Sequence, residues 1–139
     1  MSDKVFVDTN ILIYGHDRNA GRKYTAAAAI LEELWRTRAG VVSTQVLQEF
    51  YVKMTKKIPV PIPRASAAAY VQHYFAWHVV SLTPATMLKA FEVEKRYRLS
   101  FWDAMIVGAA LQANAARILS EDFNTGQIIA GIRIDNPLA

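Results

Sequence analysis

The fold is decided by the stretch KVFVDTN, residues 4–10. Its β-branched and aromatic run, residues 5–7, is long enough for a short buried strand. The run ends on Asp8, and Thr9 and Asn10, which both favour helix caps and turns, follow at once. A parallel strand that ends this way delivers a carboxylate to the carboxyl edge of a sheet, where open α/β folds place their ligands.

The composition predicts one globular domain over residues 1–139, with 53% apolar residues and a net charge of +4. The chain has no cysteine, which excludes disulfides and thiolate metal sites and fits a reducing compartment. The longest apolar run, 104–111, is far shorter than the roughly 20 residues of a membrane helix. We therefore expect a cytoplasmic protein without a membrane segment. The pI of about 9.5 permits a polyanionic partner without requiring one.

Apolar periodicity predicts strands that alternate with helices along the chain. The predicted strands are 5–7, 41–42, 78–82, 117–120 and 132–134. The predicted helices are 11–14, 22–38, 44–57, a helix that opens at Pro63, 83–98 and 100–114, the last being the most buried. This alternation is typical of a parallel sheet covered by helices on both faces, an α/β/α sandwich.

Four acids stand where such a fold could bring them together: Asp8, Glu49, Asp103 and Asp122. Asp8 ends the first strand, and Asp122 follows the fourth strand by two residues. In a parallel sheet these two strand ends lie at one edge. Each acid also has an ordinary structural alternative. These alternatives are a helix cap at Asp8, an ion pair of Glu49 with Lys53, a capping box from Ser100 to Asp103, and a hydrated turn at Glu121 and Asp122.

Convergence of these carboxylates would require a cation. Two unit charges about 4 Å apart repel by about 4 kcal/mol at an effective dielectric near 20, and no basic residue in the flanking motifs obviously neutralises them. Carboxylate oxygens suit Mg²⁺ or Mn²⁺, and the scattered histidines His16, His73 and His78 argue against a zinc site. Such an ion supports hydrolysis of a phosphodiester by an oriented, activated water. The sequence lacks a GxSxG elbow and a Gly-rich phosphate loop.

The four acids lie in four short motifs: residues 7–10 (VDTN), 45–51 (QVLQEFY), 101–104 (FWDA) and 119–123 (LSEDF). Together these motifs resemble the PIN-domain ribonucleases, and most of all the VapC-type toxins of bacterial toxin–antitoxin pairs. The resemblance implies a five-stranded parallel sheet and Mg²⁺- or Mn²⁺-dependent endonuclease cleavage of RNA. It also implies a homodimer that a small antitoxin holds inactive.

The same resemblance assigns residue roles. Asp8 and Asp103 would be the chief metal ligands, and Glu49 and Asp122 would complete the site, directly or through water. Thr9 and Asn10 match the family's small polar positions beside the first acid. Glu121 matches a position that is often acidic in relatives, so the choice between Glu121 and Asp122 as the fourth acid stays open.

Basic residues could form an RNA path, in one group of Lys53, Lys56, Lys57 and Arg64 and a second of Lys95, Arg96 and Arg98. Solvated helix faces are the alternative for each. A cluster of aromatics could line a partner groove or pack in the core: Tyr70, Tyr74, Phe75 and Trp77.

Three other functions stay open: a PIN nuclease for RNA processing without an antitoxin, a receiver-like Mg²⁺-binding signalling domain, and a binding module that has lost catalysis. The receiver requires an acid at the end of the third strand, where this sequence has Ser81-Leu82-Thr83-Pro84.

Overall fold

The computed structural model describes residues 3–139, so the first two residues of the predicted domain 1–139 lie outside the described part of the chain. Six helices and six strands follow in the order β1 (Val5–Val7), α1 (Thr9–Tyr14), α2 (Arg22–Thr37), β2 (Gly40–Ser43), α3 (Thr44–Lys56), α4 (Arg64–Tyr74), β3 (His78–Val80), α5 (Pro84–Tyr97), α6 (Phe101–Gln112), β4 (Arg117–Leu119), β5 (Ile128–Ile129) and β6 (Ile132–Asp135).

The sheet has the strand order β3-β2-β1-β4-β6-β5. Five strands are parallel, which confirms the predicted architecture, and β5 pairs with β6 antiparallel. This sixth strand was not predicted, because two residues give no readable periodicity. A two-residue turn at Ala130 and Gly131 reverses the chain, with φ of 51° and 84°, the positive values that tight hairpins need.

The first strand forms the centre of the core. Its three residues are buried, and it lies between β2 and β4. The chain runs outward from β1 to β2 and β3 and then returns to β4 on the other side of β1. Helix α1 contacts α2 and α3, and α3 contacts α4, whereas α5 packs against α6. Right-handed crossovers, the usual hand, would place these two groups on opposite faces of the sheet. The strand order reverses between β1 and β4, so the sheet has a cleft at their carboxyl ends.

Helix α6 is the most buried helix, as predicted, with seven consecutive buried residues, 104–110. Helical spacing of apolar residues predicts one buried stripe on α2; Ala27, Leu31 and Leu34 are buried, whereas Trp35, at the same spacing, is 37% exposed. Trp35 packs instead against the rings of Tyr74 and Trp77 at the sheet edge. In residues 3–139, no helix combines the length and the hydropathy needed to span a bilayer.

Candidate active site

Five elements surround a small cavity at the carboxyl ends of β1 and β4, which we call the acidic cavity. Its lining residues are Asp8, Thr9, Asn10, Gln45, Glu49, Lys53, Trp102, Asp103, Ile106 and Asp122. All four acids singled out in the sequence thus lie at one site. Its space of about 60 Å³ holds an ion with a few waters and is too small for a nucleotide, which would have to lie across the mouth.

Asp8 stands at the deepest charged position of the acidic cavity. It is only 5% exposed, and its carboxylate accepts hydrogen bonds from the backbone N–H of Thr9 at 2.7 Å and from Ser120 Oγ at 2.8 Å. Asp8 is therefore the N-cap of α1 as well as a lining residue. Burial raises the pKa of Asp8 to about 6, because the two hydrogen bonds offset only part of the desolvation and the charges of Asp122 and Asp103 add to it.

Glu49 enters the cavity from α3, where it is half-buried. The hydroxyl of Thr9 donates a hydrogen bond to Glu49 Oε1 at 2.8 Å, so the residue after Asp8 orients a second acid. Lys53 follows Glu49 by one helical turn and also lines the cavity. The structure records no ion pair within 4 Å between these two side chains, so the predicted alternative of a simple helix-surface pair is wrong for the described chain.

Asp103 enters from the first turn of α6. Ser100 Oγ accepts a hydrogen bond from the backbone N–H of Asp103 at 3.2 Å, so Ser100 caps the helix. The carboxylate of Asp103 nevertheless lines the cavity. Burial raises the pKa of the Asp103 carboxyl group, the nearby Ser100 hydroxyl lowers it as a donor to the carboxylate, and the charges of Asp122 and Glu49 raise it further. Asp103 thus takes part in the helix cap through its backbone N–H and lines the cavity through its side chain.

The loop after β4 separates its two acids. The carboxylate of Asp122 faces the cavity and accepts from Asn10 Nδ2 at 3.2 and 3.3 Å. Glu121 turns the other way, accepting from the Tyr14 hydroxyl at 2.9 Å and pairing with Lys23 at 3.3 Å. The sequence left open whether Glu121 or Asp122 is the fourth acid of the site. In the structure, Asp122 lines the acidic cavity and Glu121 does not.

The acidic cavity carries uncompensated negative charge. Within residues 3–139, none of its four carboxylates has a basic partner within 4 Å. Burial is the main cause of the raised pKa of Asp8 and of Asp103, and repulsion from the neighbouring acids adds to it. In the same part of the chain, no group of three acidic or histidine side chains is already arranged around a single metal position. Binding a metal would therefore require side-chain rotation, for instance of Asp122 away from Asn10.

The donor set fits a hard divalent cation. Oxygen atoms supply every ligand-like group, and no histidine lines the cavity. Gln45 also lines the cavity, and its Oε1 is a buried atom without a hydrogen-bond partner among the described residues. Carboxylate and carboxamide oxygens are the groups that Mg²⁺ and Mn²⁺ prefer.

Comparison with protein families agrees with this geometry. The model of the PIN domain family matches residues 5–128. The chain belongs to the PIN-domain family. No curated protein matched the sequence significantly.

Solved structures share the fold of this PIN domain at low sequence identity. VapC20 from Mycobacterium tuberculosis, described as a toxin that cleaves the sarcin–ricin loop, is 20% identical, with a TM-score of 0.68 over 94% of this chain and 99% of that one. A toxin–antitoxin complex from Klebsiella pneumoniae is 19% identical, with a TM-score of 0.70 over 96% and 98%. DNA-bound VapBC from Salmonella typhimurium is 18% identical, with a TM-score of 0.69 over 99% of both chains.

The predicted basic groups differ in their relation to the site of this PIN domain. Lys53 lines the acidic cavity, whereas Lys56, Lys57 and Arg64 are exposed and do not. The second group, at the end of α5, is also outside the lining. Lys53 is thus the one basic side chain among the described residues that lines the cavity.

The predicted aromatic cluster divides between core and surface. Tyr74 and Trp77 are buried, so the core alternative is correct for them. Phe75 is 61% exposed and lines an open apolar groove between α3 and α4. The apolar groove has about 780 Å³ of space and is lined by Leu47, Gln48, Tyr51, Val52, Ala68, Val71, Gln72 and Phe75.

Sequence reasoning did not single out four residues of the site, which are Ser120, Trp102, Gln45 and the apolar Ile106. Ser120 bridges the two strand ends, since its hydroxyl donates to Asp8 and accepts from the backbone N–H of Asp122 at 3.0 Å. Trp102 and Gln45 both line the cavity, Trp102 as a 64% exposed side chain and Gln45 as a buried one. The position of Gln45, one helical turn before Glu49, could have indicated it, because residues four apart share a helix face.

Proposed function

We propose that this PIN domain is a Mg²⁺- or Mn²⁺-dependent endoribonuclease that acts as the toxin of a toxin–antitoxin pair. One observation carries the enzymatic part: four carboxylates from β1, α3, α6 and the loop after β4 line a single cavity with no ion-paired partner in the described chain. A site with this excess of negative charge is suited to a cation and not to an anionic substrate alone.

Asp8, Glu49, Asp103 and Asp122 are the residues that would hold the cation. When bound, the cation would orient and activate a water and stabilise negative charge on the phosphate. The hydroxyls of Thr9 and Ser120 and the amide of Asn10 orient three of the four carboxylates through direct hydrogen bonds. These contacts hold the acids at the cavity before a cation binds, and Asp122 would give up its contact with Asn10 when it turns to the cation.

Two further side chains fit a nucleic-acid substrate. Lys53 supplies positive charge at the cavity for a phosphate of the substrate. The exposed indole of Trp102, next to Asp103, offers a face on which an unpaired base can stack. Because the cavity itself is too small for a nucleotide, these two residues would hold the substrate across its mouth.

The toxin role rests on the structural neighbours and on the apolar groove. Several neighbours are toxin–antitoxin complexes. The apolar groove between α3 and α4 is open and large enough to take an apolar segment of a partner. We accordingly propose an antitoxin partner and a homodimeric toxin. An RNA-processing PIN nuclease without an antitoxin is the second candidate, while membership of the PIN family excludes the receiver-like alternative.

Incubation of the purified protein with total RNA tests the activity. We expect cleavage with Mg²⁺ or Mn²⁺, none with EDTA, and new 5′ and 3′ ends that sequencing can map. Asp103→Asn should abolish cleavage without unfolding the chain, because it removes a ligand and leaves the core intact. Cleavage by Asp103→Asn at the wild-type rate, or undiminished cleavage in EDTA, would contradict the proposal.

A further inference from the structure

A hydrogen-bond network of three side chains joins the loop after β4 to α1 and α2. The hydroxyl of Tyr14, the last residue of α1, donates to Glu121 Oε1 at 2.9 Å and accepts from Lys23 Nζ at 3.3 Å. Lys23 closes the network through an ion pair with Glu121 Oε2 at 3.3 Å, and its ammonium group lies 4.7 Å from the centre of the Tyr14 ring. The single hydroxyl proton of Tyr14 thus goes to Glu121.

Tyr14 holds Glu121 more firmly than Lys23 does. The side chain of Lys23 is 50% exposed, and water screens an ion pair of this kind, so it contributes little. The Glu121 side chain is only 20% exposed, and a hydrogen bond to a carboxylate is strong when water is partly excluded from it. Without the Tyr14 hydroxyl, Glu121 would be held by an exposed and flexible lysine alone.

The network lies one residue away from Asp122, which lines the acidic cavity. Three consecutive loop residues contact α1 or its N-cap, and Glu121 is the middle one. The contact between Asn10 and Asp122 would be given up when Asp122 turns to a cation, whereas the contacts of Ser120 and Glu121 would remain. Because one peptide unit separates Glu121 from Asp122, movement of the first shifts the second.

We propose that Tyr14 is a positioning residue for the cation site: by holding Glu121 along α1, it keeps the carboxylate of Asp122 within reach of the divalent cation. The inference rests on the cation site of the proposed function but not on the nature of the substrate. Tyr14 does not line the acidic cavity, so it acts only through the loop.

Titration of the metal-free protein with Mn²⁺, followed by calorimetry, tests the proposal without any substrate. Tyr14→Phe keeps the aromatic ring and removes the hydroxyl. We expect its Mn²⁺ affinity to fall by about 10-fold, the lower end of what loss of a group behind a metal ligand costs. Tyr97→Phe is the matched control, since it removes a hydroxyl that accepts from the backbone N–H of Ala130 at 2.9 Å and lies outside the acidic cavity. The control should bind Mn²⁺ as the wild type does.

A double-mutant cycle distinguishes positioning of Asp122 from a general structural role. If Tyr14 acts through Asp122, adding Tyr14→Phe to Asp122→Asn should lower the Mn²⁺ affinity by no more than about 2-fold, the usual error of additivity. A general loosening of the fold would instead lower the affinity of Asp122→Asn by the same factor as that of the wild type.

Two variants of Glu121 test whether the hydroxyl acts through its acceptor. Glu121→Gln and Glu121→Leu remove the same charge, but only Glu121→Gln keeps an oxygen for the Tyr14 hydroxyl. We expect Glu121→Leu to bind Mn²⁺ as weakly as Tyr14→Phe, and Glu121→Gln to bind it more tightly than either. This pair also decides the question if Tyr14→Phe fails to fold.

The outcomes separate this proposal from the proposed function. Three results would each overturn the role of Tyr14 and leave the four-carboxylate site standing: wild-type Mn²⁺ affinity in Tyr14→Phe, an undiminished loss in the Asp122→Asn background, and equal affinities of the two Glu121 variants. If the wild-type protein binds no Mn²⁺, or Asp8→Asn binds it equally well, the cation site itself is wrong and both proposals fail.

Discussion

Replacement of Asp8 by asparagine should stabilise the metal-free protein at neutral pH, although it removes the central acid of the site. The pKa of Asp8 rises from the ordinary 3.8 to about 6 in the folded chain. Folding therefore takes up a proton between about pH 4 and pH 6, and the metal-free protein loses stability as the pH rises through that window. The full loss corresponds to about 3 kcal/mol, reached above about pH 6.

The asparagine side chain would recover most of this free energy, because it is neutral at every pH. It would also bring an NH₂ group next to a donor, the Thr9 N–H or the Ser120 hydroxyl, at a cost of about 1 kcal/mol. The net expectation is that the free energy of unfolding of Asp8→Asn exceeds that of the wild type by about 2 kcal/mol at pH 7.5 and falls slightly below it at pH 4.

Urea unfolding in EDTA at a series of pH values measures this difference. Glu32→Gln, an exposed change on α2 that removes the same charge, serves as the control and should show no such pH dependence. Addition of Mn²⁺ at pH 7.5 should stabilise the wild type by about 1.4 kcal/mol at ten times the Kd and leave Asp8→Asn almost unchanged. A difference between Asp8→Asn and the wild type that does not vary from pH 4 to pH 7.5 would refute the reasoning.

Three other predictions follow from the geometry. Asp122→Asn should reduce RNA cleavage strongly, whereas Glu121→Gln should retain it, since of these two acids only Asp122 lines the cavity. Equal losses of activity for the two variants in a cleavage assay would contradict the placement of the loop. Trp102→Ala should raise the KM for single-stranded RNA by roughly 5- to 150-fold, the value of one stacked base, with a smaller change in kcat; steady-state kinetics would reveal an unchanged KM if no base stacks there. Gly40→Ala should lower the free energy of unfolding in urea by about 1–3 kcal/mol, because a Cβ there would lie 2.5 Å from the buried Trp77 ring. An unchanged free energy of unfolding for this variant would show that the ring can move away.

Much of the site could be read from the sequence because its acids sit in local patterns. Asp8 ends an apolar run and Asp122 follows another, and parallel strand ends must meet at one edge of the sheet. Asp103 was harder, since a capping pattern accounts for it equally well. The structure shows that the backbone N–H of Asp103 takes part in the cap while its carboxylate lines the cavity, a distinction that the pattern of residue types does not contain.

The direction of side chains in a loop and the burial of a helix residue could not be predicted from such local patterns. Glu121 and Asp122 are adjacent acids of similar chemistry, and their separation depends on Tyr14 and Lys23, which are far away in the sequence. The exposure of Trp35 likewise depends on what lies across from α2, because its helical spacing is the same as that of the buried Leu31 and Leu34.

The sequence by itself determined the alternation of strands and helices and the acids at strand and helix ends, because those properties depend on neighbouring residues and on a fixed backbone period. Only the tertiary structure decided that a sixth strand closes the sheet edge, that Asp122 rather than Glu121 lines the acidic cavity, and that Gln45 and Trp102 line it too. These properties depend on contacts between segments distant along the chain, and packing of the whole sheet fixes those contacts.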